Sequence, residues 1–239
     1  MHDEAPQTEP LAGSFDLVPS GEGAGEGTRA ALIRVAIDLF GRKGYDATST
    51  RDIAGAAGVN IAGIAYHFGG KAGLHRVCAE SIADFLVARL GEGFPEAAPV
   101  ESLSPDAAAA AIEASVTVLA RFMLSRPEAE SLARFMVREQ MDPTDSFDVL
   151  YERVMQPRHE LVCRLWARAT GERPGDEAVV IGVSTLIGQV MFFRVGRATA
   201  LRRLGWETID AARCERIVAV IVETLRAMLA ARRAKVSGS

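Results

Sequence analysis

The sequence predicts an all-α protein: an N-terminal three-helix domain containing a helix-turn-helix, then a longer helical domain. Three observations carry that expectation. Apolar residues recur at helical spacing along most of the chain, and no run shows the alternation of a strand. Residues 49–71 read as two short helices joined by a tight turn at Gly58, followed by a small aromatic and basic cluster. Glycine and proline then punctuate the chain at helix-length intervals.

Order is expected to begin near Thr28. Residues 1–27 are rich in Gly, Pro and Glu, carry six acidic residues from Asp3 to Glu26, and contain no Lys or Arg, which predicts a flexible acidic tail. A first helix runs from Thr28 to about Lys43, with Leu32, Ile33, Ala36, Ile37, Leu39 and Phe40 inward, and Gly44 stops it. Ser49 or Thr50 caps a second helix over about 50–57, with Asp52 in its first turn. Asn60 caps a third, about 60–67, ended by Gly69-Gly70. A fourth spans 71–91. After a Pro- and Glu-containing loop, Ser104-Pro105-Asp106 starts a helix that runs to Ser125. Further helices are expected over 128–140, 145–170, 176–199 and 207–233, and Pro157 should kink or split the second of these. The domains divide at residue 75: 28–75 is the helix-turn-helix unit and 76–239 the larger helical one.

The bulk composition narrows the function classes. The 239-residue chain is 49% hydrophobic and has a formal net charge of −4, unlike a sequence-blind nucleic-acid coat. A local basic patch is still enough for DNA, because phosphate contacts are few and localised. Cys78, Cys163 and Cys214 are far apart and lack metal-ligand spacing, which fits buried thiols in a reduced compartment. No metal or cofactor is expected. No long uncharged apolar run stands out as a membrane span, and the N-terminus lacks the plan of a signal peptide. A cytoplasmic protein without membrane contact is expected.

A DNA major groove admits one short helix, which must be capped and braced by a second. Ile53, Ala54 and Ala57, with Val59, Ile64 and Phe68, supply a small shared core for such a pair, and small residues at 54–57 allow close approach. The stretch from Ala30 to Leu74 resembles the DNA-binding domain of TetR-type regulators. It carries Ala36, Leu39-Phe40 and Gly44-Tyr45, then Thr50, Ile53-Ala54 and Ala57-Gly58-Val59, then Tyr66-His67-Phe68, Lys71 and Leu74. Val59-Asn60-Ile61-Ala62 with Tyr66-His67-Phe68-Gly69 is similar to the CecR-like subgroup.

The resemblance implies an all-helical homodimer on a palindromic operator in double-stranded DNA. Thr50 and Arg51 would contact phosphate or a nearby base. Asn60, Ile61, Ala62, Gly63 and Ala65 would lie at the groove. His67 and Lys71 would hold backbone phosphate, with Tyr66 close by. Tyr66 and His67 have a second reading as core packing, and Thr50 as a plain cap. The groove face is poor in hydrogen-bonding side chains, so base choice would lean on thymine methyls, on Thr50, Arg51 and Tyr66, and on DNA shape.

Residues 92–239 contain no nucleophile–base pair, phosphate loop or histidine cluster. Phe122, Met123, Phe135, Met136, Met155, Trp166, Met191 and Phe192 form an adaptable apolar set on several helices, either ordinary core or the lining of a pocket for a small-molecule effector. Glu139 and Gln140 are polar candidates at its rim, or exposed helix-end groups. Residues 178–193 lack any charge, so that helix is buried on more than one side. The resemblance implies that the last two helices form the dimer. A ligand-responsive transcriptional repressor follows. The competing readings are an activator of the same fold and a helical enzyme with an incidental helix-turn-helix.

Overall fold

The computed structural model describes residues 24–91, 99–126 and 128–238, and among them every regular element is helical. Helix α1 covers Ala24–Lys43, α2 Thr50–Ala57, α3 Ala62–Phe68 and α4 Lys71–Gly91. The larger region contains α5 (Pro105–Ser125), α6 (Glu128–Met141), α7 (Asp145–Leu150), α8 (Gln156–Thr170), α9 (Glu177–Val195), α10 (Arg197–Leu204) and α11 (Ala211–Ser237). Most of the acidic stretch expected at 1–27 lies outside the described residues, as do residues 92–98 of the 92–105 loop.

Several boundaries differ from expectation for local reasons. Helix α1 starts at Ala24, not Thr28; Glu26 in its first turn favours the helix dipole, and an established helix propagates across weak formers. Helix α3 starts two residues after Asn60, whose Oδ1 accepts the Ala62 N–H at 2.9 Å and so still caps the turn. The expected 145–170 helix splits at a π-helical turn, Tyr151–Met155, where the Gln156 N–H bonds the Tyr151 carbonyl. That wider turn precedes Pro157, which has no N–H and cannot sit in an unbroken α-helix. The expected 176–199 helix breaks at Gly196. A Cβ there would lie 2.9 Å from the Phe192 carbonyl oxygen and 3.1 Å from its ring. Helix α11 is capped by Asp210, whose side chain accepts the Arg213 N–H at 2.8 Å.

Two hydrophobic cores form. The first joins α1–α4 to Leu132, Phe135, Val149, Leu150 and Val154. The second lies among α5, α6, α8, α9 and α11, around Ile112, Trp166, Val183, Leu186 and Leu225. The two cores meet at α6. Ala129 and Ala133 face the second core from α6, Leu132 and Phe135 face the first, and Leu119 and Phe122 of α5 touch both. Gly41 lets α6 approach α1 closely: a Cβ there would lie 3.1 Å from both the Arg134 Cβ and the Phe135 nitrogen.

Two helices correct an expectation drawn from the sequence. α5 and α9 are long and apolar enough to cross a membrane by length and composition. α5 is flanked by α8, α9 and α11, which accounts for its apolar character. α9 is the less covered of the two, with 28% of its apolar window buried within the protomer against 39% for α5.

Candidate nucleic-acid interface

The helix-turn-helix unit is held by local chemistry first. Thr48 is buried and its hydroxyl donates to the Gly44 carbonyl at 2.7 Å, fixing the link after α1. Ser49, not Thr50, caps α2. Its Oγ accepts the Asp52 N–H at 3.0 Å, and the Asp52 carboxylate accepts the Ser49 N–H at 3.3 Å. Those bonds, with Lys43 nearby, hold the Asp52 carboxyl below its ordinary range. Gly58 ends α2 at φ +66°, a left-handed conformation that favours glycine. Ile53 and Ala54 of α2 and Ile64 and Phe68 of α3 are buried against Leu32, Ile33, Ala36, Ile37 and Phe40 of α1. At Gly73 of α4 a Cβ would fall 1.9 Å from the Phe68 carbonyl oxygen, so this glycine lets α4 close against the end of α3.

What α3 leaves outward is one continuous face. Ile61 is 47% exposed and Tyr66 is 84% exposed, and Ala62 and Ala65 lie open beside them. Tyr66 is thus not core packing. Its ring meets His67 edge-on at 4.9 Å, and His67 is half-buried. Gly63 lies at the flank, where a Cβ would meet Leu32 at 3.8 Å, so it adjoins α1 as well as the open face. Thr50 is half-buried at the start of α2, while Arg51 and Asn60 are exposed.

Lys71 opens α4, two residues after Gly69 ends α3. Its Nζ sits 4.2 Å from the centre of the Tyr45 ring and donates to the Asp46 carbonyl at 3.4 Å. The ammonium is therefore aimed by the link between α1 and α2. Tyr45 as its platform was not foreseen, and neither was Arg29, which lies over the Phe68 ring at 5.5 Å. Tyr45 is visible in the sequence as a motif residue, but its partner lies on another helix.

Beneath this unit lies a polar cluster that sequence reasoning missed. His75 of α4 is buried among the rings of Phe40, Tyr45 and Phe135, with centroids at 4.5, 4.8 and 4.9 Å. The Ser146 hydroxyl lies 2.8 Å from its Nδ1, and Nε2 faces the Glu139 carboxylate at 3.5 Å. The other Glu139 oxygen accepts the Thr144 hydroxyl at 2.8 Å and its N–H at 3.2 Å. Burial first, then the Lys71 charge, lower the His75 pKa to about 4, so the imidazole is neutral near pH 7. A neutral ring accepts from Ser146 and donates from Nε2–H toward Glu139.

The apolar set proposed as a pocket lining does not converge. Phe135 and Met136 belong to the core of the reading unit, as does Met155. Met123, Trp166 and Met191 belong to the other core, and only Phe122 touches both. Trp166 is fully buried against Gly182, where a Cβ would lie 3.2 Å from its ring, and its Nε1–H donates to Glu172 at 3.0 Å. It therefore packs as core. Phe192 and Gln140 are exposed, while Glu139 serves His75 instead of a rim. Among the described residues no group of three or more His, Cys, Asp and Glu forms a metal site.

Comparison with known proteins agrees with this architecture. Residues 32–77 match the model of the bacterial regulatory proteins of the tetR family. Residues 108–232 match the C-terminal domain of the HTH-type transcriptional dual regulator CecR. Over 199 residues the chain is 38% identical to the HTH-type transcriptional dual regulator CecR of Shigella flexneri, covering 81% of this chain and 87% of that protein. It is 30% identical over 121 residues to the HTH-type transcriptional regulatory protein RaaS of Mycobacterium tuberculosis, covering 49% of this chain and 54% of that one. The fold is similar to that of AibR in a complex with isovaleryl coenzyme A and operator DNA, at a TM-score of 0.61 and 16% identity, covering 82% of this chain and 97% of AibR. With both domains matched in order, an exposed α3 braced by a capped α2, and one relative spanning most of the chain, the protein belongs to the TetR family of DNA-binding transcriptional regulators, in its CecR-like subgroup.

Proposed function

We propose that the protein is a homodimeric repressor which leaves a palindromic operator when a small molecule binds residues 76–239. The exposed face of α3 carries this reading: Ile61, Ala62, Ala65 and Tyr66 lie together on a short helix with a capped brace behind it. Arg51, His67 and Lys71 flank that face and suit phosphate, with Thr50 beside them. Base choice rests on thymine methyls, on Tyr66 and on DNA shape, since the open face offers few hydrogen-bonding groups. The effector acts by differential affinity for two dimer states, one of which spaces the readers to match the half-sites. The protein works on DNA in the cytoplasm and carries out no catalysis.

Gel shift with the DNA upstream of its own coding region, with and without candidate compounds, tests the reading. A specific shift reversed by one compound supports it, and no shift with any neighbouring promoter overturns it. An activating role is the second reading, favoured by the word "dual" in the name of the Shigella relative. In vitro transcription from the bound promoter separates the two. Lys71→Ala is expected to weaken binding to all sequences alike and to reduce the salt slope by about one unit. Fluorescence titration across a salt series measures both; unchanged values would remove Lys71 from the interface.

A further inference from the structure

Arg194 is the one group among the described side chains with a buried polar atom, Nη2, that lacks a hydrogen-bond partner. It lies one turn beyond Val190 on the inward side of α9, after the buried Val183 and Leu186. Val190 shares its core with Ala129 and Ala133 of α6, so Arg194 follows the same face toward α6. The acidic group that bears on it, Glu130, already pairs with Arg134. Arg197 and Arg134 add positive charge to the same place. Burial loosens the Arg194 proton most, Glu130 opposes that, and Arg197 and Arg134 reinforce it. Arg194 as a whole is half-buried, but a guanidinium keeps its charge under all ordinary conditions, so its enclosed Nη2 is costly unless an acceptor joins it.

The core that Val190 joins, one turn from Arg194, indicates what kind of acceptor fits. Met191, Phe193, Phe122 and Leu201 are partly buried apolar side chains packed on the same core. An amphipathic anion satisfies both halves, with its apolar body on that core and its oxyanion on the guanidinium. We propose that Arg194 anchors the carboxylate or comparable oxyanion of an amphipathic small-molecule effector. The assignment rests on the ligand-responsive reading and names the chemical class of that ligand. It also supplies a route to the reader. Arg134, drawn toward the bound anion, sits on the part of α6 that abuts Gly41 of α1, and α6 further holds α1 through Ser131–Asp38 at 3.1 Å.

The test uses two fluorescent probes of similar shape on the full chain. 8-Anilinonaphthalene-1-sulfonate has the oxyanion, and N-phenyl-1-naphthylamine lacks it. The wild type is expected to bind the sulfonate at least about tenfold more tightly than the neutral probe. Arg194→Met removes that preference and leaves the neutral probe unchanged, while Arg194→Lys retains part of it. The Met variant, freed of an unpaired charge, should melt at or above the wild-type temperature without probe. Equal binding of the sulfonate by wild type and Met variant overturns the proposal. A melting temperature several degrees lower, or a changed oligomeric state, also overturns it, because Arg194 would then have a structural or intersubunit partner. Operator binding is measured separately. Loss of operator recognition by the wild type defeats the regulatory reading, whereas the probe comparison reports on the anchor alone.

Discussion

Carboxylates introduced together at Ile181 and Gly188 are expected to turn the protein into a monomer and to lower operator affinity by about a thousandfold or more. Ile181 is 53% exposed on the isolated protomer, and a Cβ at Gly188 meets no atom within 4 Å. The protomer itself therefore accommodates Ile181→Glu and Gly188→Glu. Along α9 the exposed positions Ile181, Ser184, Gly188, Phe192 and Val195 recur at three- and four-residue steps and form one stripe. A helix this apolar with so little of it buried needs a second surface. In a twofold dimer each substitution occurs twice and faces like charge. Half-site contacts should survive at the affinity of a single reader. Light scattering and titration with palindromic DNA measure the two effects, and a persistent dimer would move the interface away from α9.

Acidification and loss of Glu139 should both act on the junction beneath the reader. The unfolded chain binds a proton at His75, with an ordinary value of 6.5, that the folded chain resists down to about 4. Stability from this group is thus complete above pH 6.5 and falls as the pH drops toward 4. Between pH 7 and 5 the loss is up to about 2 kcal/mol. His75→Gln, which does not titrate, should flatten that part of the stability profile. Glu139→Ala leaves the Thr144 donors and the His75 Nε2–H without their acceptor. The expected cost is about 2–3 kcal/mol, or a melting temperature lower by roughly 5–10 °C in a chain of this length. Calorimetry at pH 7 and pH 5 checks each value; a His75→Gln profile as steep as the wild type would assign the slope to other groups.

Features fixed by near neighbours were legible in the sequence. The Ser104 cap, the break around Pro157 and the short helices after Ser49 all depend on residues within a turn or two, and these elements lie close to where they were expected. The exposure of Arg51, Ile61, Ala62, Ala65 and Tyr66 was legible too, because spacing along α2 and α3 determines which positions face outward. What escaped depends on contacts between helices. His75 and Ser146 are 71 positions apart, and Lys71 finds Asp46 across 25. The break at Gly196 depends on where the Phe192 ring turns, which helical periodicity does not specify. The apolar set failed as one pocket because composition identifies buried residues without saying which of two cores receives them.

The two faces of α6 differ in texture, and that sets how the helix can move. Toward the reader it presents Leu132 and Phe135, keyed among large side chains, with Gly41 as a notch in α1. Toward the second core it presents Ala129 and Ala133, methyl groups that interlock little. A packed interior deforms least where side chains interdigitate and most where they are short. The slip plane of the molecule is therefore the alanine side. A displacement of α6 is expected to follow the second core and to carry α1 with it.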